Sequence, residues 1–252
     1  DDPQEETIAS AAAKLGLGRW LAMPLTGDPA DFITEGTLAV ISSKNMAGSR
    51  KYESDSTVQN IPFGGSNKAN DHMVGNPAFS GNKDCGSGAD CGLTGAYGNI
   101  LKYGWSGASA AEYQTVSFSG FDSAKTYLVQ YIIHGELNVT NRYDEVTDVT
   151  GTHRIWQSAA TAGEKWYYGG TLIHVFKPDS NGNYTLQIAH RSVDNNGTVS
   201  NQNGLMNAYQ IREVTREEQP EEPPEEPEEI PVYTLTIPAK TGLTLGSVTT
   251  NG

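Results

Sequence analysis

The chain has 252 residues, 37% hydrophobic and 19% charged, with 28 Gly and 12 Tyr, which suits a turn-rich antiparallel β protein better than a helical one. Its net charge of −13 is concentrated: setting aside the eight Glu of 217–229 and Lys240 leaves −6 on residues 1–216. A body so near neutrality, without a Lys/Arg cluster, excludes nucleic acid as a partner, and no run approaches the roughly 18 apolar residues of a membrane span.

Residues 1–36 read as a lead-in with one helix over 7–16. Thr7 can cap it, Ile8, Ala11, Ala12 and Leu15 share a face, and Gly16 stops it. No secretory h-region opens the chain, so in a secreted protein the signal has been removed before Asp1. From residue 37 the period changes to two, and 37–214 reads as one β-sandwich module. TLAVIS (37–42) is its first strand, followed by an irregular Gly-, Asn- and Ser-rich stretch to about 110. Within that stretch Cys85 and Cys91 stand in NKDCGSGADCG, a flexible loop able to bring the sulfurs together. We expect a local disulfide, contributing only about 2 kcal/mol across so short a loop. That expectation carries an oxidising, extracellular or cell-surface location with it.

Clearer strands follow at 113–119, 126–134, 142–149, 151–157, 170–176, 183–190 and 205–214. In NYTLQIAH, Tyr184, Leu186 and Ile188 face one way and Thr185, Gln187 and Ala189 the other, as in a half-buried strand. The Asn181-Gly182 pair before it marks a tight hairpin. Sequential strands at this spacing, with no helices between them, indicate an antiparallel β-sandwich or jelly roll.

Four stretches carry a resemblance: FSGFDSAKTYLVQYIIHG (118–135), TNRYDEVTDVTG (140–151), PDSNGNYTLQI (178–188) and LMNAYQIREV (205–214). Over residues 113–214 the chain resembles galactose-binding-like β-sandwich modules of large secreted and surface proteins of bacteria. The resemblance implies an extracellular, non-catalytic module that binds carbohydrate. Arg142 matches the family's NRY position, with no ligand role attached to it.

After Val214 the texture changes. Residues 215–231, with EEQPEEPPEEPEEIP, form an extended, self-repelling linker that cannot bury a core. Residues 232–252 hold a β segment in which Val232, Leu235 and Ile237 are apolar anchors and Tyr233 an amphipathic one. It resembles the opening of bacterial surface repeats, interrupted here by Pro238 and Lys240, and about 20 residues cannot fold alone. It is either part of a repeat domain or a strand donated to a neighbouring chain.

Chemistry-bearing residues are sparse. No G-x-S-x-G, H-E-x-x-H, P-loop or dinucleotide fingerprint occurs, so we do not expect an enzyme. The five histidines lie on different predicted elements and read as strand residues rather than a metal triad. Asp144, Glu145 and Asp148 crowd one strand and read as an exposed face or a calcium-facing edge. Asp179, Asn181 and Asn183, with Asp194 on a second turn, offer oxygen ligands suited to a structural calcium, although turn chemistry accounts for both tracts without an ion. The aromatics Trp156, Trp166, Tyr167 and Tyr168 are the residues on which sugar rings could stack, with Arg142 beside them as a hydrogen-bond donor. The expected function is therefore a non-catalytic extracellular recognition module for a glycan. The alternative is a structural subunit of a filament or surface assembly, whose partners are other copies of itself joined by strand addition.

Overall fold

The computed structural model describes residues 6–43, 56–63, 79–84, 92–107, 113–135, 140–157, 164–201 and 205–216. The chain divides into two units, Asp1–Gln219 and Pro220–Gly252. The second unit, with Val232, Tyr233, Leu235 and Ile237, lies outside the described residues, as do Cys85 and Cys91.

The first unit is mainly β, with antiparallel sheets. It opens with helix α1 (Ile8–Lys14), capped by the Thr7 hydroxyl accepting from the Ser10 N–H at 3.2 Å. Strand β1 (Trp20–Pro24), a 3₁₀ turn (Pro29–Asp31) and β2 (Thr37–Ser43) follow. The stretch expected to be irregular holds β3 (Ser56–Val58), β4 (Ile61–Phe63), β5 (Phe79–Asp84), α2 (Gly95–Lys102) and β6 (Tyr103–Gly107). The remaining strands are β7 (Gln114–Phe118), β8 (Thr126–Ile133), β9 (Arg142–Asp148), β10 (Gly151–Trp156), β11 (Gly170–Phe176), β12 (Tyr184–Val193), β13 (Val199–Asn201), β14 (Leu205–Met206) and β15 (Ala208–Val214), and all but β13 overlap the stretches that the period-two pattern marks.

One five-stranded sheet runs β1-β11-β8-β15-β2, with every neighbouring pair antiparallel. A second runs β10-β9-β12-β13, with β7 also paired to β12. β5, β6 and β14 form a small third sheet, and β3 pairs with β4. The two large sheets enclose a core of Phe118, Tyr131, Val146, Ile155, Leu172, Phe176, Tyr184, Leu186 and Tyr209. Each such large ring contributes about 1.5–3 kcal/mol by leaving water.

The first sheet is buried on its other face as well. Alternate residues of β8 and β11, among them Leu128, Ile132, Ile173 and Val175, meet a layer made by α1, residues 25–33, the β3–β4 hairpin and α2. Phe32 anchors that layer, edge-on to Phe63 at 5.2 Å and to Tyr97 at 4.9 Å. This explains why TYLVQYII and GTLIHVF read as near-continuous apolar runs: a strand covered on both sides loses its polar face. Gln130 of β8 and Gln210 of β15 are buried polar residues that pin the layer down. Gln130 Nε2 donates to the Asp31 carbonyl at 2.7 Å, and its Oε1 accepts from the Ile33 N–H at 3.0 Å and from Gln210 Nε2 at 2.7 Å. Arg212 donates to the carbonyls of Thr34, Glu35 and Gly36. Burying these groups is tolerable only because each finds a partner.

Candidate functional site

The second sheet leaves its outer face to solvent, and the β9–β10 hairpin sets what stands on it. Asp148 and Gly151 are paired across a two-residue turn of Val149 and Thr150. The Asp148 carboxylate accepts from the Thr150 N–H at 2.7 Å, which fixes the turn and therefore the register of both strands. Alternation then sends Asp144, Val146 and Asp148 inward and Tyr143, Glu145 and Thr147 outward.

Three rows cross the outer face. Trp156, Tyr143, Arg191 and Asn201 are register neighbours on β10, β9, β12 and β13. Arg154, Glu145 and Ala189 form the next row, and Thr152, Thr147, Gln187 and Thr115 the third. Half-buried Trp156 lies edge-on to Tyr143, with centroids 5.2 Å apart, and the Arg154 guanidinium sits 3.9 Å above the Tyr143 ring. Tyr143 is thereby covered, while the Arg154 side chain stays 51% exposed. Glu145 holds Arg154 and Arg191 from either side at 3.3 Å each, and Arg191 also donates to Asn201 at 2.5 Å. The result is a flat face with one aromatic platform beside oriented donors and acceptors. It can stack against the C–H face of a planar or ring-shaped ligand and hydrogen-bond its rim.

The other aromatics expected at a site stand elsewhere. Trp166, Tyr167 and Tyr168 occupy a turn closed by the Tyr167 N–H donating to the Glu164 carbonyl at 3.1 Å and the Gly169 N–H to that of Trp166 at 2.8 Å. Trp166 adopts a left-handed φ of 73°, which turns its ring toward the core between the sheets. The ring packs so closely on Gly170 that a Cβ there would lie 2.7 Å from it. Tyr168 packs on the opposite core beside Gly27 and Leu93, and Tyr167 lies edge-on to it at 5.0 Å. Arg142 is half-buried at the start of β9, with inward parity, so it does not belong to the row of Trp156. Of the five predicted residues, the structure therefore puts Trp156 alone on the outer face. Tyr143, Arg154, Glu145 and Arg191 join it there; alternation within RYDEVTD and GTHRIW marks Tyr143 with Glu145 and Arg154 with Trp156 as same-face pairs, and strand pairing joins these to each other and to Arg191.

Inside the sandwich lie polar groups, and Asp144 and Asp148 among them were expected on an exposed face. Asp144 is fully buried and accepts from His190 Nδ1 at 2.5 Å and Gln157 Nε2 at 2.7 Å. His134, also buried, has its pKa driven down to about 4, chiefly by desolvation, so it is neutral at pH 7. Near the edge, Trp20 stacks between His153 at 4.7 Å and His174 at 3.9 Å. Among the described residues no three His, Cys, Asp or Glu side chains converge as a metal site. Asp179 turns its carboxylate onto the N–H groups of Asn181 and Asn183 at 2.9 and 2.8 Å, and Asp194 onto those of Asn196 and Thr198 at 2.8 Å each. Those bonds hold both carboxyls below the ordinary aspartate range. No described helix is long and apolar enough to cross a membrane.

No protein-family model matches the chain, and no curated protein matches it. Among solved structures, the plant peptide RALF23 in complex with FER and LLG2 is similar with a TM-score of 0.48 and 13% identity, over 78% of this chain and 54% of that one. The plant receptor-like kinase FER is similar with a TM-score of 0.44 and 14% identity, over 73% of this chain and 54% of that one. The chain thus spans about half the length of the structures it matches, and at this similarity neither assigns it a ligand or a partner.

Proposed function

We propose that this chain is a non-catalytic recognition module of an extracellular or cell-surface protein, and that it binds carbohydrate on the outer face of its second sheet. The observation that carries this reading is the Trp156–Tyr143–Arg154–Glu145 constellation on that face. Sugar recognition needs an amphipathic ring for the C–H face of a pyranose and rigid polar groups for its hydroxyls. Here both come from neighbouring rows of paired strands, so little ordering entropy is lost on binding. The resemblance of residues 113–214 to galactose-binding-like modules supports the same reading, and no residue on the face is arranged as a nucleophile with its base.

Isothermal titration of the 252-residue chain against a panel of oligosaccharides tests it. Trp156→Ala should weaken the binding found by about 1–3 kcal/mol, the range for an aromatic hot spot, with the thermal midpoint little changed. A wild-type chain that binds no member of the panel, or a Trp156→Ala chain that binds as well as the parent, would overturn the reading.

A further inference from the structure

The two sheets meet at one lateral edge through their outermost strands, β1 of the first and β10 of the second. Trp20 fills that seam. Its ring is nearly parallel to His153 of β10 on one face, at 16°, and to His174 of β11 on the other, at 13°. Its Nε1 donates to Thr150 Oγ1 at 2.7 Å, and that hydroxyl donates to Asp148 Oδ1 at 2.5 Å. The other oxygen, Asp148 Oδ2, lies 2.9 Å from His174 Nε2, and His174 Nδ1 lies 2.9 Å from the Arg19 carbonyl. The circuit runs from the start of β1, through the β9–β10 turn, to β11 and back to β1.

The hydrogen count of this circuit is fixed by its partners. A carbonyl oxygen only accepts, so His174 Nδ1 must carry a proton. A bare Nε2 lone pair against a carboxylate oxygen would be repulsive, so a proton lies between those two atoms as well. His174 and Asp148 therefore share a proton across that contact, with side chains 0% and 2% exposed. The titratable groups facing the cluster are Asp148 on β9, His153 on β10, His174 on β11, Tyr131 on β8 and Tyr184 on β12. Burial pushes both tyrosines well above their ordinary range, so they stay neutral. The group free to change is His153, on the solvent side of the stack.

We propose that Trp20, His153, His174 and Asp148 form an acid-sensitive latch, in which protonation of His153 places a charge in the desolvated seam against Trp20 and loosens β1 from it. Desolvation, followed by the charge of His174, lowers the His153 pKa below 6.5. A histidine with a lowered folded value contributes its full stability above 6.5 and loses it as pH falls. Burial raises the Asp148 carboxyl, but the bonds from His174 and Thr150 outweigh it and hold the group below 3.8. Asp148 thus stays anionic through the window in which His153 titrates, and the first step belongs to His153.

Hydrogen exchange by mass spectrometry on the 252-residue chain reads the latch directly, on peptides covering 19–25 and 127–133 at pH 7.5 and pH 5. After correction for intrinsic exchange, protection of 19–25 should fall about tenfold at the lower pH while 127–133 changes little. His153→Gln, which cannot charge, should abolish the local fall. His153→Phe keeps the stack and serves if the glutamine variant folds poorly. Equal protection of 19–25 at both pH values, an equal fall in both peptides, or a fall that persists in both variants would each refute the latch.

Discussion

Trp166 and Trp156 show how differently the same residue type is used ten positions apart. Trp156 ends an edge strand and lies partly open to solvent, whereas Trp166 spends a left-handed φ to place its ring against the core. That backbone costs of order 1–3 kcal/mol and persists because the packing outweighs it. Trp166→Ala should therefore destabilise the fold by about 3 kcal/mol, the lower end of aromatic truncation, with denaturant melts showing the loss. His134 supplies a second prediction at this scale. Its folded pKa is about 4 against 6.5, so stability is complete above 6.5 and declines as pH falls toward 4. The full loss is about 3 kcal/mol. Urea titrations from pH 7.5 to 4.5 should show it, and His134→Gln should flatten the curve.

At the scale of elements, the turns and the edge strands decide what the sheets can carry. The Asp179–Asn183 hairpin joins β11 to β12, and its Gly182 has φ 74°, with an added Cβ falling 2.2 Å from the Phe121 carbonyl oxygen. Gly182→Ala should thus destabilise more than Asp179→Ala, which removes two backbone acceptor contacts and costs about 1–2 kcal/mol. Because those contacts are made within the loop itself, the Asp179→Ala loss should be the same in millimolar calcium as in chelator. A larger loss in calcium would support the calcium expectation for Asp179, Asn181, Asn183 and Asp194. The β9–β10 hairpin was legible from RYDEVTDVTGTHRIW, and so was its alternation. What alternation could not say was which parity faced inward, and Asp144 and Asp148 went against the rule that charge stays outside. They are tolerated there because histidines on β12 and β11 meet them.

For the whole molecule, residues 26–36 matter more than their place in a lead-in suggested. Arg212 holds three consecutive carbonyls of this segment, and Gln130 and Gln210 hold it at Asp31 and Ile33. Arg212→Ala leaves those carbonyls without their donor and should cost about 2–4 kcal/mol, seen as a lowered midpoint in thermal melts. The Pro/Glu composition of residues 215–231, which cannot bury a core, predicts that a chain of residues 1–219 folds with the same midpoint as the full one. Light scattering of the two chains also weighs the assembly alternative. Polymers formed by residues 1–252 and lost in 1–219 would favour strand donation by the segment around Val232, Tyr233, Leu235 and Ile237 over glycan recognition.

Local pattern alone determined much of this protein. Period-two alternation identified β7 to β12 and β15 to within about three residues at their ends, turn chemistry placed the Asp179–Asn183 hairpin, and a cap residue started α1. These signals lie within a few residues of one another, so no tertiary partner is needed to read them. Tertiary structure decided the rest. Strand β1 was invisible because WLAMP packs on both faces and shows no alternation, and α2 was invisible because its amphipathic face answers to Phe32 and Phe63, remote in sequence. The grouping on the outer face of the second sheet was hidden for the same reason. Tyr143, Arg154, Glu145 and Arg191 become neighbours only when β10, β9 and β12 pair in one register, and pairing is a property of the sheet rather than of any strand within it.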